Sequence, residues 1–231
     1  MRRHEAKLTT MKHLSFYFDV ISPYAFLAFE ALPEFLAGHS HSVTYKPVLF
    51  AALLKHHGQL GPAEIAGKRE WTYRQVQWLA QRQGTPLEMT ATHPFNPLGL
   101  LRLAVACATP GSPDNLLLNR HPNRQICETI FRHVWQGGAD AADAGRLAEL
   151  ARLLAPTRDP DSEEVKGALR ANCDEAIAHG VFGVPTIEVD GKLFWGLDAL
   201  PMVRDYLNGE TWFQTDAWEQ SAKVPIGQAR R

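Results

Sequence analysis

Strand-forming sequence sits at both ends of this chain, and helical sequence fills the space between. Residues 14–20 read LSFYFDV, a run of aromatic and β-branched residues that predicts a short strand. Far downstream, Pro185-TIEV-Asp190-Gly191-KLFWG predicts strand, turn, strand, because Asp-Gly between two apolar runs is a strong hairpin signal. Strands at both ends can share a single sheet. The segment 51–179 is then a helical insertion into a small α/β domain.

The intervening pattern supports that division. From Pro23 to Ala37 the apolar residues Phe26, Leu27, Leu32, Phe35 and Leu36 recur at helical spacing, and Gly38 is placed to end that helix. Residues 43–49, VTYKPVL, read as a second strand whose Pro47 implies an edge or a strand end. Residues 51–66 read as a loop with short helical turns, and 68–83 as a helix stopped by Gly84. After the breaker cluster THPFNP at 92–97, helices are expected over 98–108, 120–136, 143–154 and 161–179. A last helix covers 198–208. The tail beyond Gly209 lacks sustained periodicity, although Trp212, Phe213 and Trp218 suggest docking.

Composition excludes several classes. The 231 residues are 45% hydrophobic and 21% charged, with a formal charge of −1, so nothing attracts the chain to nucleic acid or an anionic membrane. No apolar run approaches membrane-spanning length. Cys107, Cys127 and Cys173 are sparse, odd in number and form no C-x-x-C, which fits a reducing cytoplasm. The N-terminal MRRHEAKLTT lacks the apolar segment of a signal peptide. His39, His41, His56 and His57 lack a third ligand at a recognised metal spacing and read as surface residues. The aromatics Trp71, Tyr73 and Trp78 read as core, because basic residues interleave them only modestly.

Three short motifs could carry chemistry. Ser22-Pro23 has the residues of a helix N-cap and first turn, and that role alone accounts for the dipeptide. The same helix N-terminus offers free N–H groups and a positive dipole end, which would stabilise a thiolate bound beside Ser22. Gly183-Val184-Pro185-Thr186 reads most simply as a proline opening a strand. With a cis bond, Val184 could also offer its backbone to a peptide lying alongside. Asp198, after Trp195-Gly196-Leu197, suits a helix first turn, and could equally grip a ligand ammonium.

Taken in order and spacing, FYFDVISPYAFLA, the helical insert and FGVPTIEVDGKLFWGLDAL resemble the DsbA-like branch of the thioredoxin superfamily. More closely, they are similar to 2-hydroxychromene-2-carboxylate isomerase and kappa-class glutathione transferase. WLAQRQGTPL, PFNPLGLLRLA and IFRHVWQGGAD in the insert belong to the same resemblance, which covers residues 14–207. It implies a thioredoxin-like α/β domain with a large all-helical insertion. The discontinuous thioredoxin-like part would span 12–50 and 180–209, the insertion 51–179, and the C-terminal tail 210–231.

The resemblance also implies an enzyme with glutathione as cofactor, a small aromatic substrate and a possible homodimer; the cysteine pattern places it in the cytoplasm. Ser22 would donate a hydrogen bond to the glutathione sulfur and hold it as thiolate. Val184 would pair with the glutathione backbone beside a structural cis-proline, Pro185. Asp198 would hold the γ-glutamyl end, and Leu197 would also bind glutathione, as would Gln59, which falls close to a family asparagine that touches it. Tyr24 and Asn96 would border the substrate pocket, with Phe26 as a further wall.

Four residues depart from the family pattern. Leu197 stands where relatives carry Asn or Ser, so only its backbone N–H could serve. Ala199 replaces an arginine, and Gln75 and Trp78 replace an Asp and an Arg. The expected activity is glutathione-dependent interconversion of 2-hydroxychromene-2-carboxylate and trans-o-hydroxybenzylidenepyruvate, or of a related aromatic-derived 2-oxo acid. The alternatives are a kappa-like transferase that conjugates electrophiles, and a non-catalytic module that keeps the peptide- and thiol-binding groove. No general base neighbours Ser22 in sequence.

Overall fold

The computed structural model describes residues 11–108 and 121–227. The N-terminal decapeptide, the first residue of the expected helix 120–136 and the last four residues of the tail lie outside them.

Four strands form one mixed sheet in the order β2-β1-β3-β4. Strand β1 (Lys12–Phe18) runs parallel to β2 (His41–Pro47) and antiparallel to β3 (Thr186–Val189), which turns into β4 (Lys192–Trp195). The two ends of the chain therefore meet at the centre of the sheet. Phe16 pairs with Tyr45 on one side and Ile187 on the other. Pro47 closes the edge strand β2, where its missing N–H costs no ladder bond. The hairpin turn places Asp190 at φ 50° and Gly191 at φ 74°. Two successive residues in the left-handed region are what a two-residue loop between right-twisted strands requires.

Alternation along β1 divides the interior into two layers. Leu14, Phe16 and Phe18 face one core, and Tyr17 faces the other; all four are fully buried. The first core packs α1 (Pro23–Leu36) on the sheet and brings α5 (Arg124–Trp135) against both. Phe131 of α5 lies 5.2 Å from Phe18, 5.1 Å from Phe29 and 5.9 Å from Phe26, ring centre to ring centre. The insertion is thus welded to the sheet by aromatic packing. The second core holds Tyr17, Val48, Leu53, Cys173, Ala176, Val181 and Val184, under α2 (Phe50–His56) and α7 (Glu163–Ala178).

The remaining helices are α3 (Ala66–Gln83), α4 (Leu98–Ala106), α6 (Ala144–Leu154), α8 (Leu200–Asn208) and α9 (Asp216–Ser221). Polar side chains begin three of the insertion helices. Asn123, Asp143 and Ser162 accept from the N–H three residues on, at 3.0, 2.9 and 3.3 Å.

Three expectations need correction, and the docking expected of the tail is borne out. Residues 50–56 form a true helix, not loop turns. The final helix begins at Leu200, because residues 197–199 tighten into a 3-10 turn around Asp198. The tail docks through Phe213 and Trp218, which pack on Phe194 at 6.0 and 5.8 Å, and it carries α9. Trp71 and Trp78 are 62% and 52% exposed. Helix α3 buries only the Thr72, Val76 and Ala80 stripe, and both tryptophans fall off it.

Candidate functional site

The loop from β1 to α1 is built around Asp19, which is 0% exposed. Its carboxylate oxygens accept from the N–H groups of Ile21 (3.0 Å) and Phe50 (2.8 Å), so one side chain ties the start of α1 to the start of α2. Its carbonyl accepts from the Ser22 N–H at 3.1 Å. Burial pushes the carboxyl up to about 7, against the pull of its two backbone donors.

Ser22 is the N-cap of α1, at φ −90° and ψ 114°. Its Oγ accepts from the Ala25 N–H at 3.2 Å. A hydroxyl that accepts through a lone pair keeps its proton free to donate. Pro23 has no N–H to offer, and the Tyr24 N–H has no partner among the described residues. The Ser22 hydroxyl and the Tyr24 N–H are therefore two donors at the positive end of a fourteen-residue helix.

The second wall is the proline loop. The Val184–Pro185 peptide is cis. Among the described residues, neither the N–H nor the carbonyl of Val184 is hydrogen-bonded, which leaves a strand edge for a ligand backbone. The Pro185 carbonyl accepts from the Gly196 N–H at 2.9 Å and so fixes the turn that carries Leu197 and Asp198. Leu197 packs its side chain against the first core. Asp198 is exposed, and α1 packs on its turn. Burial raises the Tyr24 hydroxyl, and the Asp198 carboxylate adds to that rise.

Gly196 holds this turn at φ 101° and ψ 162°, backbone that only glycine adopts without strain. A Cβ there would also collide with Asp198 Oδ1. Gly196→Ala is expected to cost ~2 kcal/mol, lowering the melting temperature by about 4–8 °C, and to displace Asp198. Calorimetry with ligand titration checks both. An unchanged melting temperature would show that the turn is not held as described.

The insertion supplies the third wall. The Tyr24 hydroxyl donates to Gln75 Oε1 at 2.7 Å, so the departure at position 75 is taken up by Tyr24. His93 places Nε2 2.9 Å from the Ile21 carbonyl and Nδ1 2.9 Å from the Tyr73 hydroxyl. Trp135 donates from Nε1 to the Val20 carbonyl at 2.9 Å. Asn96 is exposed and spends its Oδ1 on the Leu98 N–H (3.1 Å) in the turn that leads into α4. Gln59 is exposed beyond the end of α2, its N–H bonded to the Leu54 carbonyl; no hydrogen bond links it to the other candidates. Phe26 is fully buried in the aromatic core, where it packs on Phe131. Trp78 sits under the Arg82 guanidinium on the exposed face of α3.

The structure thus brings Ser22, Tyr24, Val184, Pro185, Leu197 and Asp198 to one end of the sheet. Sequence reasoning missed Asp19, His93 and Trp135. A carboxylate inside the apolar run FYFDV was a usable signal for Asp19. His93 lay hidden in a breaker cluster, and Trp135 looked like any core aromatic.

Residues 13–208 match the family model of the DSBA-like thioredoxin domain. The chain is 28% identical over 213 residues to glutathione S-transferase kappa 2 of Caenorhabditis elegans, covering 85% of this chain and 92% of the relative. It is 25% identical over 203 residues to 2-hydroxychromene-2-carboxylate isomerase of Sphingobium xenophagum, covering 85% and 98%. Among solved structures, a 2-hydroxychromene-2-carboxylate isomerase superposes with a TM-score of 0.70 at 21% identity, covering 88% of this chain and 98% of that one. The sheet, the helical insertion and the family match agree: the chain belongs to the DsbA-like thioredoxin family.

Proposed function

We propose that this chain is a glutathione-dependent isomerase of a small aromatic-derived 2-oxo acid, such as 2-hydroxychromene-2-carboxylate. The observation that carries the reading is the pair of free donors at the start of α1, the Ser22 hydroxyl and the Tyr24 N–H, beside the unpaired backbone of Val184. An anion gains most at such a helix end, and a thiol ionises more easily there. The donor set fits a γ-glutamyl tripeptide. Val184 can pair with its backbone, Asp198 with its ammonium, and the Leu197 and Asp198 turn with its carboxylate; Gln59, exposed beyond the end of α2, is assigned to glutathione by the family resemblance alone.

Bound glutathione would supply a thiolate that adds to the activated double bond, lets the resulting single bond rotate, and leaves again unconsumed. The chain's own part is to orient and to stabilise. Ser22 donates to the sulfur, and the α1 dipole lowers the cost of its charge. Tyr24, fixed by Gln75, borders the substrate with Asn96 and limits how the double bond can approach. His93 and Trp135 hold the Ile21 and Val20 carbonyls just ahead of Ser22.

The test is spectroscopic. Purified protein with glutathione should change the ultraviolet spectrum of 2-hydroxychromene-2-carboxylate, and should do so only when glutathione is present. No change with either isomer would sink the isomerase reading. A second reading, conjugation of an electrophile, is supported by the similarity to the kappa 2 transferase. Sulfur retained in the product would select it.

A further inference from the structure

The peptide unit that joins Ile21 to Ser22 is held at both ends. Its N–H, on Ser22, donates to the Asp19 carbonyl at 3.1 Å. Its carbonyl, on Ile21, accepts from His93 Nε2 at 2.9 Å. A carbonyl can only accept, so Nε2 must carry the ring proton. In the neutral ring Nδ1 is then an acceptor, and the Tyr73 hydroxyl stands 2.9 Å from it. The same hydroxyl lies 2.9 Å from the His93 carbonyl, so its single proton goes to the ring or to the backbone, and either bond holds His93 in place. The ring also packs at 5.7 Å from Trp135, whose own N–H holds the Val20 carbonyl.

These contacts leave little freedom in the plane that sets the φ of Ser22. They also come from outside the domain that carries Ser22. His93 and Trp135 belong to the insertion, with Tyr73 on α3 and Trp135 at the end of α5. Burial holds the His93 imidazole below its ordinary range, which favours the neutral ring, and the bond to the Ile21 carbonyl selects the tautomer. Arg69 faces Tyr73 from one turn earlier on α3 and adds a cation on that side.

We infer that His93 is a positioning residue for the proposed thiolate site: its Nε2–H fixes the Ile21–Ser22 peptide and thereby aims the Ser22 hydroxyl. The inference rests on the reading of Ser22 as the seat of a glutathione thiolate. Mispositioning a donor by a fraction of an ångström removes much of its value to a charge, because hydrogen bonds weaken steeply off line. The insertion is then part of the catalytic support, not only a wall for the substrate.

The experiment compares His93→Gln with His93→Met. The two side chains are similar in length, and only the glutamine can place an N–H on the Ile21 carbonyl. Bound glutathione is titrated by thiolate absorbance in wild type and both variants, with melting temperatures measured alongside. His93→Gln should stay near wild type, and His93→Met should hold about tenfold less thiolate at a given pH, a rise of one in the thiol pKa. If Gln and Met lose thiolate alike, or neither does, His93 is a packing residue and the inference fails. If the wild type itself holds no more thiolate than free glutathione, the Ser22 reading fails first. Should the variants not fold, nitrogen NMR of the wild type still decides: a proton on Nε2 is expected, and a proton on Nδ1 overturns the proposal.

Discussion

Ser22→Ala should leave the fold intact and lower glutathione-dependent turnover by about 10²-fold. The substitution removes one oxygen with two jobs. As acceptor, Oγ caps the Ala25 N–H at 3.2 Å, and losing such a cap costs about 1 kcal/mol of stability. As donor, its proton is the one side-chain hydrogen bond at the start of α1 that a sulfur anion could use. Removing a single preorganised donor from a developing or bound anion typically costs a factor of 10² to 10³. The lower value is expected here because the Tyr24 N–H and the helix dipole remain. The loss should fall mainly on kcat, and the thiol pKa of bound glutathione should rise part of the way towards its free value. Equal turnover in wild type and Ser22→Ala would remove Ser22 from the chemistry. Equal and negligible turnover with preserved glutathione binding would instead favour a binding module.

The features legible in sequence were those that one or two residues determine locally. Ser22-Pro23 specifies a helix start by itself, and Asp190-Gly191 specifies a hairpin by itself. Pro47 announced a strand end because a proline cannot donate. What the sequence could not show was what distant segments do to one another. Nothing near Ser22 indicates that His93 and Trp135, from a loop and a helix of the insertion, bond the two carbonyls that precede it. Nothing in the aromatic spacing of α3 separates a core face from an exposed one. Thr72 and Ala80 are small, and they are buried because α1 lies there, while Trp71 and Trp78 point away. The tail lacked periodicity because its docking uses an aromatic cluster with Phe194 and Tyr206, which has no helical repeat.

Replacing Asp19 with Asn should remove the pH dependence that this single residue imposes on stability. In the folded protein the carboxyl is fully buried and pushed up to about 7. In the unfolded chain it ionises near 4. Between those values the unfolded state has lost a proton that the folded state keeps, so stability falls as pH rises. The window spans about three pH units at ~1.4 kcal/mol each, on the order of 4 kcal/mol in all, and the loss ends above about 7 where both states are ionised. An asparagine does not titrate, but its amide nitrogen cannot accept from a backbone N–H. One of the Ile21 and Phe50 donors is then orphaned, at a cost of about 1–3 kcal/mol. Asp19→Asn should therefore be less stable than wild type near pH 5, and the gap should close or change sign by pH 8. Urea unfolding of both proteins across that range checks it. Acids such as Glu188 and Asp190, held below their usual range by their hydrogen-bond partners, give slopes of the opposite sign. They are common to both proteins and cancel in the difference. Parallel curves would mean that Asp19 titrates normally. A converging pair would also bear on the site, since a neutral carboxyl behind the Ser22 cap places no negative charge beneath the thiolate that α1 is proposed to hold.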